Sequence, residues 1–185
     1  MIKILCLGDS LTNGARNEYF RDYPLELSYF ISEKKKIPNL CFNDSVNGET
    51  SSEIIKRAFK TLEKNKFNFI LFLGGTNDSK VPIPPKIYEK NIKQLIELAK
   101  HKNTKVFLGL LPPIYSGLPC YSQKEGNNII QTYNKILIKI AKNYNIKIVD
   151  FSKLDESYYS DGVHLNYKGY LLMAQKWYNA IKNEI

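Results

Sequence analysis

The chain has 185 residues, 43% of them hydrophobic and 24% charged, with a formal net charge of +9. That composition excludes a disordered tail, and no apolar run approaches the ~20 residues of a membrane span. The positive excess is spread along both halves, and 24 of the 27 basic residues are Lys. Nucleic-acid binders concentrate basic charge on one face and favour Arg for bidentate contacts, so no nucleic-acid partner is expected.

The first apolar run, Ile2–Leu7, reads as a buried strand. It stops at Gly8-Asp9, short of the apolar stretch of a signal peptide, so a cytoplasmic protein is expected. The run continues into the turn Gly8-Asp9-Ser10-Leu11-Thr12-Asn13-Gly14. A helical pattern over Asp22–Lys36 follows, then a strand over Leu40–Val46 and the turn Asn47-Gly48-Glu49-Thr50. A helix over Ser51–Lys64 leads to the strand Phe67–Leu73 and the turn Gly74-Gly75-Thr76-Asn77-Asp78. Pro82, Pro84 and Pro85 open a third helix that runs to His101, as a first helical turn allows. The strand Lys105–Leu110 enters a loop over Leu111–Lys124, rich in Pro, Gly, Ser and Tyr. Ile129, Tyr133, Ile136, Ile140 and Tyr144 mark one face of a helix over Glu125–Tyr144. A last strand, Ile146–Val149, precedes Asp161-Gly162-Val163-His164 and a final helix over Asn166–Glu184.

Five strand–helix units in strict alternation predict an α/β domain spanning residues 1–185, with a parallel sheet covered on both faces. Ligands of such sheets bind beyond the carboxyl ends of the strands, where these turns of small and polar residues converge. Cys6, Cys41 and Cys120 show no ligand spacing, so neither a metal site nor a disulfide framework is expected, and a reducing compartment fits.

The chain has two histidines. His101 ends a lysine-rich helix and reads as solvated. His164 follows Asp161 by three residues, close enough for the carboxylate to bind one ring nitrogen and leave the other as a base. Taken alone, Asp-x-x-His, Gly-Asp-Ser, Asn77 and Gly48 each have an ordinary structural explanation as turn, cap or helix-entry residues. Together they make the set that acyl transfer needs: a hydroxyl (Ser10), a base (His164), an orienting acid (Asp161), and donors to an oxyanion. The donors are the N–H groups of Ser10 and Gly48 and the amide of Asn77. Asp9 is the nearest rival acid, but it adjoins Ser10 and reads as a turn former. Asp78 reads as a residue that holds the third turn. Asp150, Asp155 and Glu156 lack the spacing to His164.

Gly8-Asp9-Ser10-Leu11, Gly48, Gly75-x-Asn77-Asp78 and Asp161-x-x-His164, in this order, resemble the four blocks of the GDSL, or SGNH, hydrolase family. Leu111-Pro112-Pro113 adds a weaker likeness. The resemblance implies a flavodoxin-like three-layer α/β/α fold with a five-stranded parallel sheet in the order 2-1-3-4-5. It also implies hydrolysis of esters or thioesters without metal or cofactor. Carried over by position, Ser10 is nucleophile and oxyanion donor, Gly48 and Asn77 are donors, His164 is the base, and Asp161 orients it. The rate is then expected to fall at acid pH as the imidazole takes a proton.

Ile114, Tyr115, Leu118 and Tyr121 are expected to line the substrate pocket. An apolar groove there suits fatty-acyl or aryl esters, as in lysophospholipase and thioesterase members. Tyrosines stacking on sugar rings would suit a carbohydrate O-acetylesterase instead. The partner is a small-molecule ester, and the positive charge allows contact with anionic substrates or surfaces. Neither a GxSxG elbow nor a GxGxxG or Walker sequence is present, which disfavours the ordinary α/β-hydrolase and dinucleotide or P-loop readings. A non-catalytic binding protein on the same fold is the remaining alternative.

Overall fold

The structure is a computed structural model that describes residues 1–81, 83–116 and 122–185. In chain order the elements are β1 (Ile2–Gly8), α1 (Ser10–Asn13), α2 (Tyr23–Lys35), β2 (Asn39–Ser45), α3 (Ser51–Lys64), β3 (Phe69–Leu73) and α4 (Thr76–Lys80). They continue with α5 (Pro85–His101), β4 (Lys105–Leu110), α6 (Gln123–Tyr144), β5 (Lys147–Asp150), a 3-10 turn (Glu156–Tyr158) and α7 (Tyr167–Ile181). The five strands are parallel and lie in the order β2-β1-β3-β4-β5. Helices α2 and α7 pack together on one face, and α3, α5 and α6 on the other. This is the expected three-layer order.

Burial explains the strand sequences. The whole of β3, Phe-Ile-Leu-Phe-Leu, is buried beneath both helix layers, and each such side chain contributes about 1.5–3 kcal/mol. β2 is an edge strand that alternates between half-buried and exposed residues up to Asn43, with Leu40 and Phe42 on the outside and Asp44 buried near its end. Cys6 is buried and Cys41 half-buried, both free thiols. The core under α7 is aromatic. Trp177 meets Phe151 edge to face at 5.3 Å and lies 6.1 Å from Tyr23.

Helix ends follow local chemistry. Asp22 caps α2 by accepting from Leu25 N at 2.7 Å. Ser122 and Glu125 form a reciprocal cap that starts α6 two residues before the expected boundary. The buried stripe of α6 is Ile130, Tyr133, Leu137 and Ile140, whereas Ile129, Ile136 and Tyr144 are only half-buried. The stripe is thus rotated from the expected one, because α6 also packs against α5 and the sheet edge. Pro84 and Pro85 stand at the start of α5 as expected. Pro82 and Cys120 lie outside the described residues.

Two short helices, α1 and α4, were not expected from the sequence. Segments of four and five residues are too short to show a hydrophobic period, so their place after a buried strand is what makes them helical. Both start at the carboxyl edge of the sheet. Among the described residues no helix is long and apolar enough to cross a membrane.

Candidate active site

The first strand ends at Gly8, and Asp9 turns the chain by accepting from Leu11 N at 3.0 Å. Ser10 thereby becomes the first residue of α1, where backbone N–H groups have no intrahelical acceptor. Burial pushes the Asp9 carboxyl up to about 7, with the Leu11 bond opposing it. Asp9 therefore shapes the turn, as its place beside Ser10 suggested.

Ser10 Oγ lies 3.2 Å from His164 Nε2, and His164 Nδ1 lies 2.8 Å from Asp161 Oδ2. The other oxygen, Asp161 Oδ1, accepts from His164 N at 2.7 Å and Val163 N at 3.0 Å. Partial burial alone would raise the Asp161 carboxyl. The His164 backbone and ring and the Val163 N–H outweigh it and hold the group below the ordinary carboxylate range. An ionised carboxylate only accepts, so the imidazole proton sits on Nδ1 and Nε2 faces the Ser10 hydroxyl as acceptor. The loop that carries this pair is closed by an antiparallel bridge between Tyr159 and Leu165 and by Ser160 N donating to His164 O at 2.8 Å.

Gly48 lies in the turn after β2 with φ +83°, and a Cβ there would meet no atom within 4 Å. Glycine is thus needed for its backbone angle, not for want of space. Its N–H has no partner among the described residues, whereas the next N–H, of Glu49, donates to Val46 O at 3.3 Å. Asn77 is the second residue of α4. One of its amide hydrogens goes to Glu49 O at 3.0 Å, which leaves the other for the cavity. Gly75, before α4, has φ +138°, and a Cβ would come within 2.9 Å of Tyr88 and Leu111.

These groups share a cavity of about 590 Å³ lined by Ser10, Ala15, Arg16, Asn47, Gly48, Thr76, Asn77, Lys80, Ser116, Asp161, Val163 and His164. A larger groove, about 720 Å³, lies between α3 and α5 beside Phe59, Lys90, Leu98 and His101. None of the motif residues reaches it, so the larger hollow is not where the chemistry converges.

Ile114 and Tyr115 do not line the cavity. Ile114 is buried, with its backbone held by Asn127 at 2.9 and 2.8 Å. Tyr115 donates its hydroxyl to Leu154 O at 2.8 Å and stacks edge to face on Tyr159. Both fasten the loop to the core, and among the described loop residues Ser116 meets the cavity. Leu118 and Tyr121 lie outside the described residues. Asp150 and Asp155 accept from Ser152 and Ser157, away from His164, as expected of structural residues.

Asp78 does more than hold its own turn. It is fully buried and accepts from Ser51 N at 2.7 Å and from Ser51 Oγ, pinning the start of α3. Burial raises its carboxyl against the pull of those two bonds. Sequence reading also passed over Arg57. Its Nη2 donates to Gly8 O at 3.0 Å and to Glu49 Oε2 at 2.6 Å, and its Nη1 meets Asp44 Oδ1 at 2.5 Å. A signal for it exists. In a chain whose cations are overwhelmingly Lys, all three arginines pair with carboxylates: Arg16 with Asp161, Arg21 with Glu26, Arg57 with Asp44 and Glu49. The rare use of Arg marks sites where a planar fork is wanted.

The family model for the GDSL-like Lipase/Acylhydrolase family matches residues 6–172. An arylesterase of Vibrio mimicus is 24% identical over 151 residues, covering 80% of this chain and 70% of that protein. The Escherichia coli (strain K12) protein named thioesterase 1/protease 1/lysophospholipase L1 is 25% identical over 171 residues, covering 88% of this chain and 75% of that one. Among solved structures, the lipase/acylhydrolase from Enterococcus faecalis superposes with a TM-score of 0.83 at 24% identity, over 100% of this chain and 97% of that one.

Proposed function

The chain belongs to the GDSL-like lipase/acylhydrolase family, and from that premise we propose that it is a serine esterase that works through an acyl-enzyme and prefers short acyl groups. The observation that carries the reading is the line Ser10 Oγ, His164 Nε2, His164 Nδ1, Asp161 Oδ2, with contacts of 3.2 and 2.8 Å. His164 Nε2 takes the hydroxyl proton as Ser10 Oγ bonds to the ester carbonyl carbon. The carbonyl oxygen becomes an oxyanion that receives hydrogen bonds from Ser10 N, Gly48 N and the free Asn77 amide hydrogen. The bond from carbon to the alcohol oxygen then breaks, and the proton on His164 goes to the leaving alkoxide. Water repeats the sequence on the acyl-Ser10 ester. It gives one proton to His164 and its oxygen to carbon, and the proton returns to Ser10 Oγ. Asp161 holds the ring and offsets the charge of the transient imidazolium.

The cavity lining supports the short-chain preference. Among the described residues Ala15 and Val163 are its apolar side chains, and the rest are polar or charged apart from Gly48. Each acyl methylene gains about 0.8 kcal/mol only where apolar walls cover it. No aromatic side chain lines it among the described residues either, so the sugar-stacking reading finds no platform there. A p-nitrophenyl ester series from acetyl to palmitoyl tests this. Turnover is expected with acetyl or butyryl and a decline in kcat/KM for longer chains. Ser10→Ala is expected to lower kcat about 10⁶-fold. Preference for palmitoyl overturns the chain-length reading, and an inert wild type or an active Ser10→Ala overturns the serine esterase.

A further inference from the structure

The three oxyanion donors sit on three separate chain segments: the start of α1, the turn after β2 and the start of α4. Their distances from one another are not set by any one secondary element. One side chain meets two of these segments and is linked through Glu49 to the third. Arg57, on α3, donates to the carbonyl of Gly8, two residues before Ser10. Through Nε and Nη2 it grips Glu49, the residue after Gly48, at 3.0 and 2.6 Å. The carbonyl of that same Glu49 takes the Asn77 amide at 3.0 Å. Asp44, at the end of β2, holds the remaining end of the guanidinium. The Arg57 side chain is 18% exposed and absent from the cavity lining, so it does not meet the substrate.

We propose that Arg57 is a positioning residue that fixes the Ser10, Gly48 and Asn77 donors relative to one another by clamping Gly8 O and Glu49 across β1, the β2 turn and α3. The proposal rests on the serine esterase reading above. The guanidinium suits the task because its planar fork presents several N–H donors in fixed directions, whereas a lysine ammonium is a point charge on a flexible stem. The Gly48 turn has a left-handed backbone angle and lies outside regular structure, so without the clamp the Val46–Glu49 turn bond and the Asn77 contact are what locate it among the described residues. Donors that drift by about 1 Å cost on the order of 10²-fold in rate. The loss falls on the oxyanion, which exists only after attack, so it appears in kcat and not in KM.

The test compares Arg57→Ala, Arg57→Lys and Glu49→Gln with wild type on p-nitrophenyl acetate, with melting temperatures alongside. Arg57→Ala leaves Asp44 and Glu49 facing each other without a cation, so Arg57→Lys and Glu49→Gln supply the answer if that variant does not fold. Expected is a fall in kcat of ~10–100-fold for Arg57→Ala and smaller falls for Arg57→Lys and Glu49→Gln, with KM held within about threefold. Added guanidinium ion is expected to restore part of the kcat of Arg57→Ala and none of that of Asn77→Ala. A folded Arg57→Lys and Glu49→Gln that both keep wild-type kcat overturn the proposal, as does an equal response of Asn77→Ala to guanidinium. Those outcomes leave the esterase intact, whereas a wild type inert on every ester removes the esterase reading itself.

Discussion

On one side of the cavity, Ser10, Gly48 and Asn77 are placed by contacts that span the sequence. Arg57 reaches Gly8 across 49 residues, Asn77 reaches Glu49 across 28, and Asp78 reaches Ser51 across 27. On the other side, Asp161 and His164 bond to each other within three residues, and their loop is tied further by Tyr115 N donating to Gly162 O at 2.6 Å. Most ties of the first side are buried: Asp9 and Asp78 are fully so and Ser10 is 9% exposed, whereas Asn77 is half-buried and Gly48 exposed. The second is a surface loop whose carboxylate remains about a third exposed. The contrast shows two ways to fix a reactive geometry. Short-range hydrogen bonds set one acid against one base on a short loop. Three donors from three segments need buried polar ties that fold and site share.

After loss of the Ser10 hydroxyl itself, breaking the local side is expected to have the largest effect. Asp161→Asn keeps the shape but offers the imidazole the wrong partner, so kcat is expected to fall about 10⁴-fold. Its melting temperature is expected near that of wild type at acid pH and somewhat below it at neutral pH, and a similar kcat in the two proteins would remove Asp161 from the relay. On the long-range side, Asn77→Ala removes one of three donors and is expected to cost ~10²–10³ in kcat. An unchanged kcat would take Asn77 out of the oxyanion site.

Asp78→Ala tests whether the long-range side carries stability as well as geometry. It leaves the buried Ser51 N–H without its acceptor, and stability measured by denaturant unfolding is expected to drop by about 1–3 kcal/mol. No loss would mean that the α3 start holds itself.

The smallest effect concerns pH, and the two sides differ in sign. Asp9 has a folded value raised from 3.8 to about 7. Between about pH 4 and 7 the folded state therefore holds a proton that the unfolded chain has lost, and this contribution to stability declines as pH rises. Asp161 is lowered instead. Its contribution is present above the ordinary carboxylate range and fades as pH falls through the folded value. In melting temperatures from pH 4 to 8, Asp9→Asn is expected to gain most at the alkaline end, and Asp161→Asn to lose least at the acid end. The same sign for both variants would erase the distinction.

Legibility in the sequence followed the same division. The Asp161-x-x-His164 spacing was readable because both partners lie on one short loop, and the buried strands were readable because full burial demands unbroken apolar runs such as Phe69–Leu73. Gly8-Asp9-Ser10 and Asn77-Asp78 could be placed at strand ends, but the short helices that orient them could not, since four or five residues are too few to carry a period. Ile114 and Tyr115 looked like pocket walls because loops of that composition often are. They pack inward because the α6 residue Asn127 and the Leu154 carbonyl lie within reach, a matter of tertiary neighbours.

The sequence by itself determined the alternation of strands and helices, the order of the motif turns at the carboxyl ends and the pairing of His164 with its acid. Those features depend on periodicity and on residues a few positions apart. Tertiary structure alone decided that His164 meets Ser10 across 154 residues, that Asp78 serves α3, and that Arg57 ties the donor segments together. Hydrogen bonds and ion pairs act over about 3 Å in space irrespective of distance along the chain, so no local pattern records them until the sheet has brought its strand ends together.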